Sequence, residues 1–133
     1  MIKEVVIPKV IIEIFNSLVD ISNVELVGLL LGSIRYGSIY VEEIVIGENI
    51  DYSPISFRLD PHAIITTYDL AKTLNLDIVA LIHSHPAPPY PSPKDLTGMR
   101  LWPIPWVIVD SITREVRVWV LEEGLVEVKL LIT

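Results

Sequence analysis

The chain has 133 residues, 51% of them hydrophobic and 20% charged, with a formal net charge of −7. That length and balance exclude a disordered chain and predict a single domain, residues 1–133, with a sizeable core. The acidic balance argues against nucleic acid as a partner, no apolar run reaches the length of a membrane span, and the lack of cysteine excludes disulfides and thiol ligands.

Residues 2 to 7 are mostly apolar and β-branched and read as a short edge strand. Met1–Glu4 lack the charged and apolar regions of a signal peptide, so a cytoplasmic location is the expectation. Pro8 suits the first position of a helix running to about Ile21, with Val10, Ile11, Ile14, Phe15, Leu18 and Ile21 at helical spacing. Residues 24 to 35 and 39 to 47 read as a hairpin around Tyr36-Gly37-Ser38, and Gly28 and Gly32 signal a bulge or close backbone approach. A polar loop over 48 to 55 leads into a short strand, Ser56 to Leu59. Asp60-Pro61 opens a second helix to about Leu74, with Ile64, Ile65, Tyr68, Ala71 and Leu74 on one face. Asp77 starts a strand that ends at His85. The proline-dense stretch Pro86 to Pro93 is excluded from helix or central strand and reads as a stiff surface loop. A short helix, Pro93 to about Leu101, and three strands, 104 to 110, 115 to 122 and 125 to 132, complete the order. The elements do not alternate strictly, which predicts an α+β fold: a mixed curved β-sheet with helices on its faces. Glutamine is absent and isoleucine, valine and proline are plentiful, a composition that leans towards a thermophile.

The chemistry gathers at the end of the 77–85 strand. His83 and His85 are two residues apart, so their side chains share a face and Ser84 turns away. Ten residues on, Asp95 sits at a helix start. Two imidazoles and a carboxylate are the ligand set of a catalytic zinc site, which keeps one position for water. Asp95 also has a structural reading, because Ser92-Pro93-Lys94-Asp95 is close to a capping box. Glu25 lies within an apolar strand, where a lone carboxylate is costly to bury. It reads as a salt-bridged or strand-edge glutamate, or as a general base. His62 reads as a surface histidine. Trp102, Trp106 and Trp119 are core or interface residues, and Trp119 alternates outward as a candidate partner contact.

His83-Ser84-His85, then Ser92-x-x-Asp95, with Glu25-Leu26-Val27-Gly28-Leu29-Leu30-Leu31-Gly32 far upstream, resembles the signature of the JAMM (MPN-plus) zinc metalloproteases. The resemblance runs from about residue 8 to the end. The family usually has seven residues between the second histidine and the serine, and here there are six, Pro86 to Pro91. The resemblance implies a sheet around a long helix, in the cytidine-deaminase-like architecture. It also implies one zinc ion per chain held by His83, His85 and Asp95, Glu25 as general base and Ser92 as oxyanion donor. The implied substrate is an isopeptide or peptide bond after the C-terminal Gly-Gly of a ubiquitin-like modifier. Residues 48 to 58 are then the candidate wall for the tail, with Glu48 and Asp51 favouring a basic one. Two alternatives stay open: release of an amino acid such as cysteine from a ubiquitin-like sulfur carrier, and a non-catalytic scaffold. Whether the chain is active alone or needs a partner is also open, as is its oligomeric state, with a homodimer as one option.

Overall fold

The computed structural model describes residues 1–49 and 59–133. The elements, in chain order, are β1 (Glu4–Ile7), α1 (Lys9–Ile21), β2 (Val27–Arg35), β3 (Ser38–Gly47), α2 (Pro61–Thr73), β4 (Asp77–His85), α3 (Pro93–Leu101), β5 (Trp106–Asp110), β6 (Val116–Leu121) and β7 (Leu125–Ile132). The expected Ser56 to Leu59 strand lies mostly outside the described residues; Leu59 itself makes an antiparallel bridge to Asn49.

Strand order is β1-β3-β2-β4-β5-β6-β7, and β1 also pairs with β7, so the sheet closes on itself. This corrects the expectation of an edge strand at the N-terminus: the sheet curves until β1 joins its two margins. β1 lies parallel to both neighbours, meeting Ser38–Tyr40 of β3 and Lys129–Ile132 of β7. The β4/β5 pair is parallel too, and the other pairs are antiparallel hairpins or ladders, so the sheet is mixed as expected. Tyr36 and Gly37 have φ of 53° and 84°, the two left-handed positions of a tight hairpin turn between β2 and β3. The ladder between these strands shifts at Leu31/Gly32. A Cβ on Gly32 would stand 1.9 Å from the Tyr40 carbonyl oxygen, which is why this bulge needs glycine.

Strand alternation divides the core into two layers. Leu30, Ile82, Val107, Val118 and Val120 face inward against α1, which contributes Ile11, Ile12, Phe15 and Val19. Each side chain buried as fully as Phe15 contributes about 1.5–3 kcal/mol. Val27, Leu29, Leu81, Ile108 and Trp119 face the other way, against Met99 and Leu96 of α3. Both helices differ in detail from their expected faces. On α1, Val10, Ile14 and Ile21 are exposed, and Ile12 and Val19 take their place. Apolar residues almost encircle this helix, so spacing alone does not single out one stripe. On α2, Ile65, Tyr68 and Leu74 are exposed, while Thr67 and Ala71 are buried. Small residues let this helix lie close to the sheet and leave the larger side chains outside. Among the described residues, no helix is long and apolar enough to cross a membrane.

Candidate metal and catalytic centre

The β2/β4 register assembles the site. Val27 pairs with His83, and the same register extended two residues places Glu25 opposite His85. β2 begins at Val27, so Glu25 stands just ahead of the strand rather than inside it as expected. Leu81, on the same face of β4 as His83 and His85, packs in the outer core layer, so both histidines project towards α3. Ser84 faces the opposite way, as expected.

His83 is wholly buried between two carboxylates. Its Nδ1 is 3.0 Å from Glu25 Oε1 and its Nε2 is 3.2 Å from Asp95 Oδ1. Glu25 and Asp95 are themselves buried, and one ligand atom from each of Glu25, His83 and Asp95 lies within 4.8 Å of the others. His85 flanks this trio, its ring 5.4 Å from that of His83. Its Nε2 is 3.9 Å from Asp95 Oδ2 and 3.3 Å from the Tyr90 carbonyl. Burial alone would lower the pKa of His83; hydrogen bonds to Asp95 and Glu25, with their charges, outweigh it and raise the pKa to about 9. Burial pushes Asp95 up, but the bonds and charge of His83 and the Ser92 bonds hold it below the usual carboxylate range.

The capping reading of Asp95 holds, and it occupies only one carboxylate oxygen. Its Oδ2 accepts from the Ser92 N–H at 2.9 Å, and the Ser92 hydroxyl accepts from the Asp95 N–H at 3.1 Å, a full capping box for α3. The other carboxylate oxygen remains to face His83. The donor set fits a metal ion. Two carboxylates and an imidazole are buried together, and two more buried atoms, Glu25 Oε2 and His85 Nδ1, have no hydrogen-bond partner. A cation brought here would compete with the proton that His83 shares between the carboxylates.

Residues beyond the sequence motif hold this arrangement. The Trp106 ring meets His83 edge-on, centroids 5.7 Å apart, and its indole N–H donates to the Trp102 carbonyl at 3.2 Å. Trp119 is buried, which corrects the expectation of an outward partner contact. Its indole N–H donates to the Pro89 carbonyl at 2.8 Å and its ring lies 5.4 Å from Tyr90, so it pins the proline loop. The Arg117 guanidinium lies over the Tyr90 ring, 5.3 Å from its centroid, and is bonded to Glu127. Alternation reads a large aromatic facing away from the inner core as exposed; it carries no sign of a loop folding over it. Asn49, also missed, donates to the Glu25 carbonyl at 2.8 Å. His62 is exposed, as expected.

A cavity of about 370 Å³ opens beside the site. Glu25, His85, Ser92 and Asp95 are among its polar lining residues, and Ile64, Leu101 and Trp102 among its apolar ones.

A family model described as prokaryotic homologs of the JAB domain matches residues 9–122. The chain is 35% identical over 130 residues to a desampylase of Pyrococcus furiosus, covering 96% of this chain and 89% of that one. It is 36% identical over 86 residues to a probable TtuB-protein conjugate cleaving protease of Thermus thermophilus, covering 63% of this chain and 56% of the other. The solution structure of a Desulfitobacterium hafniense protein superimposes with a TM-score of 0.85 at 22% identity, covering 97% of this chain and 92% of that one. The matched segment includes every residue gathered around His83, and the chain belongs to the prokaryotic JAB-domain family.

Proposed function

We propose that this protein is a zinc-dependent hydrolase that cuts the isopeptide or peptide bond after the C-terminal Gly-Gly of a ubiquitin-like modifier. The observation that carries this reading is the buried Glu25–His83–Asp95 trio opening onto an apolar cavity. The names of the two relatives, a desampylase and a probable conjugate-cleaving protease, support the substrate class. His83, His85 and Asp95 would hold the zinc ion. Bound there, it would supply Lewis acidity towards the scissile carbonyl and make a water molecule easier to deprotonate.

The remaining steps belong to this chain's own side chains. Glu25 takes a proton from the attacking water and passes it to the leaving amine. That its Oε2 is buried and without a hydrogen-bond partner supports this role. Ser92 accepts from the Asp95 N–H, so its own hydroxyl hydrogen is available to the oxyanion that develops at the carbonyl. The cavity walls exclude water from the tail, and glycine next to the scissile bond lets the backbone come close. The test is a pair of ubiquitin-like fusions ending in Gly-Gly or Ala-Ala, each with and without a chelator. Cleavage of the first only, abolished by chelation, is expected. Equal rates on both fusions refute tail recognition, and activity untouched by the chelator refutes zinc.

A further inference from the structure

The backbone around Glu25 is held in an unusual way. Ser84 N–H donates to the Leu26 carbonyl at 3.0 Å, one half of the antiparallel pair that follows Val27 and His83. The return bond does not run to a main-chain carbonyl. The Leu26 N–H donates to the Ser84 hydroxyl instead, at 3.1 Å. A side-chain oxygen thus takes the place that a ladder carbonyl occupies in a regular antiparallel pair. On the preceding residue, Asn49 Nδ2 donates to the Glu25 carbonyl at 2.8 Å. Asn49 is buried, and its own backbone is bridged to Leu59.

The Glu25 carbonyl and the Leu26 N–H are two ends of one peptide unit, which is planar and rigid. Gripping both ends fixes the plane and, with it, the direction in which the Glu25 side chain leaves the chain. The contact with His83 Nδ1 engages one carboxylate oxygen of Glu25, and the backbone sets where the side chain starts from. We propose that Ser84 and Asn49 are positioning residues that clamp the Glu25–Leu26 peptide from opposite ends and aim the Glu25 carboxylate at the reacting water. The proposal rests on the reading of Glu25 as general base. Neither residue touches the reacting atoms; both act through the backbone.

The experiment compares Asn49→Ala, Ser84→Ala, Ser84→Thr, Glu25→Gln and the double variant Asn49→Ala/Glu25→Gln. Each is assayed on the Gly-Gly fusion for kcat and KM, for bound zinc, and for thermal midpoint, with rates taken well below melting. Misplacing a catalytic group by about 1 Å costs on the order of 100-fold in rate. Asn49→Ala and Ser84→Ala are therefore expected to lower kcat by about 10- to 100-fold, with KM within about twofold and one zinc retained. Ser84→Thr keeps the hydroxyl and restores the rate. Asn49→Ala on the Glu25→Gln background causes no further loss, because its effect runs through a carboxylate already removed. The proposal is overturned if kcat falls only with the folded fraction, if zinc is lost in parallel, or if Asn49→Ala slows Glu25→Gln by the same factor as wild type. Wild-type turnover by Glu25→Gln removes the general-base reading itself, a result distinct from each of these.

Discussion

Gly98→Ala tests whether the spacing between α3 and Trp106 of β5, which backs His83, sets the metal site. A Cβ at Gly98 would lie 2.6 Å from Trp106 Cη2 and 3.1 Å from Cζ2, whereas ordinary contact begins at 3.4 Å. One wall must retreat by about 0.8 Å. The indole is held: Trp106 is buried, its N–H is bonded to Trp102, and its ring edge rests on His83. The helix is the part left to move, and it carries Asp95 three residues before Gly98. A shift of that size would stretch the 3.2 Å contact between Asp95 and His83 beyond hydrogen-bonding range. Overpacking costs about 1–3 kcal/mol, and replacing a mid-helix glycine by alanine returns about 1 kcal/mol. The net loss of stability is therefore small, about 0–2 kcal/mol. Zinc affinity is expected to fall much further in proportion, about 10- to 100-fold, as when residues supporting metal ligands are changed. Competition against a chromophoric chelator measures affinity, and a thermal melt measures stability. A variant that melts higher than wild type and binds zinc equally well would refute the coupling.

Further outcomes follow from the same geometry. His83→Ala and Asp95→Ala should each lose stoichiometric zinc by metal analysis; retention in either contradicts the ligand assignment. Ser92→Ala should lower turnover by about two to three orders of magnitude if its hydroxyl serves the oxyanion. It should also cost about 1 kcal/mol through loss of the α3 cap, and a rate near wild type with only that stability loss would leave Ser92 as a cap alone. In the metal-free protein, the His83 pKa is raised in the folded state to about 9 from an ordinary 6.5. Its contribution, on the order of 3 kcal/mol, is fully present below pH 6.5 and disappears as the pH rises through 9. Denaturation midpoints measured across that window should fall, and a flat or rising profile would show that His83 is not shared between the carboxylates.

Much of the site was legible because its spacing is local. The two-residue step from His83 to His85, and the three-residue step from Ser92 to Asp95, each obey the period of a strand end or a helix start. Glu25 is different. Its approach to His83 depends on the β2/β4 register, and a single residue of slip would turn it to the other face. The family signature brought it to attention; the pattern of charges alone does not. Trp106, Trp119 and Asn49 act through contacts between elements well separated in the chain, Asn49 across 24 residues and Trp119 across 30, with no periodic signal. The helix faces were misread for the opposite reason. α1 has apolar residues nearly all round, and α2 buries Thr67 and Ala71 while leaving Ile65 and Tyr68 outside, so hydrophobicity did not rank the positions by burial.

Closure of the sheet by β1 bears on how the molecule avoids its own copies. Strands rich in isoleucine, valine and leucine recruit further strands wherever backbone donors and acceptors stand open, and that is the route to fibrous aggregates. β1 is a four-residue plug: it satisfies Ser38–Tyr40 on one side and Lys129–Ile132 on the other. Just beyond its reach, β3 carries Glu42 and Glu43, both exposed. Acidic side chains at that margin repel a second acidic chain where the plug runs out. Glu42→Thr/Glu43→Thr should leave the fold intact yet scatter light increasingly as its concentration rises, whereas an unchanged signal would mean that the plug is sufficient by itself.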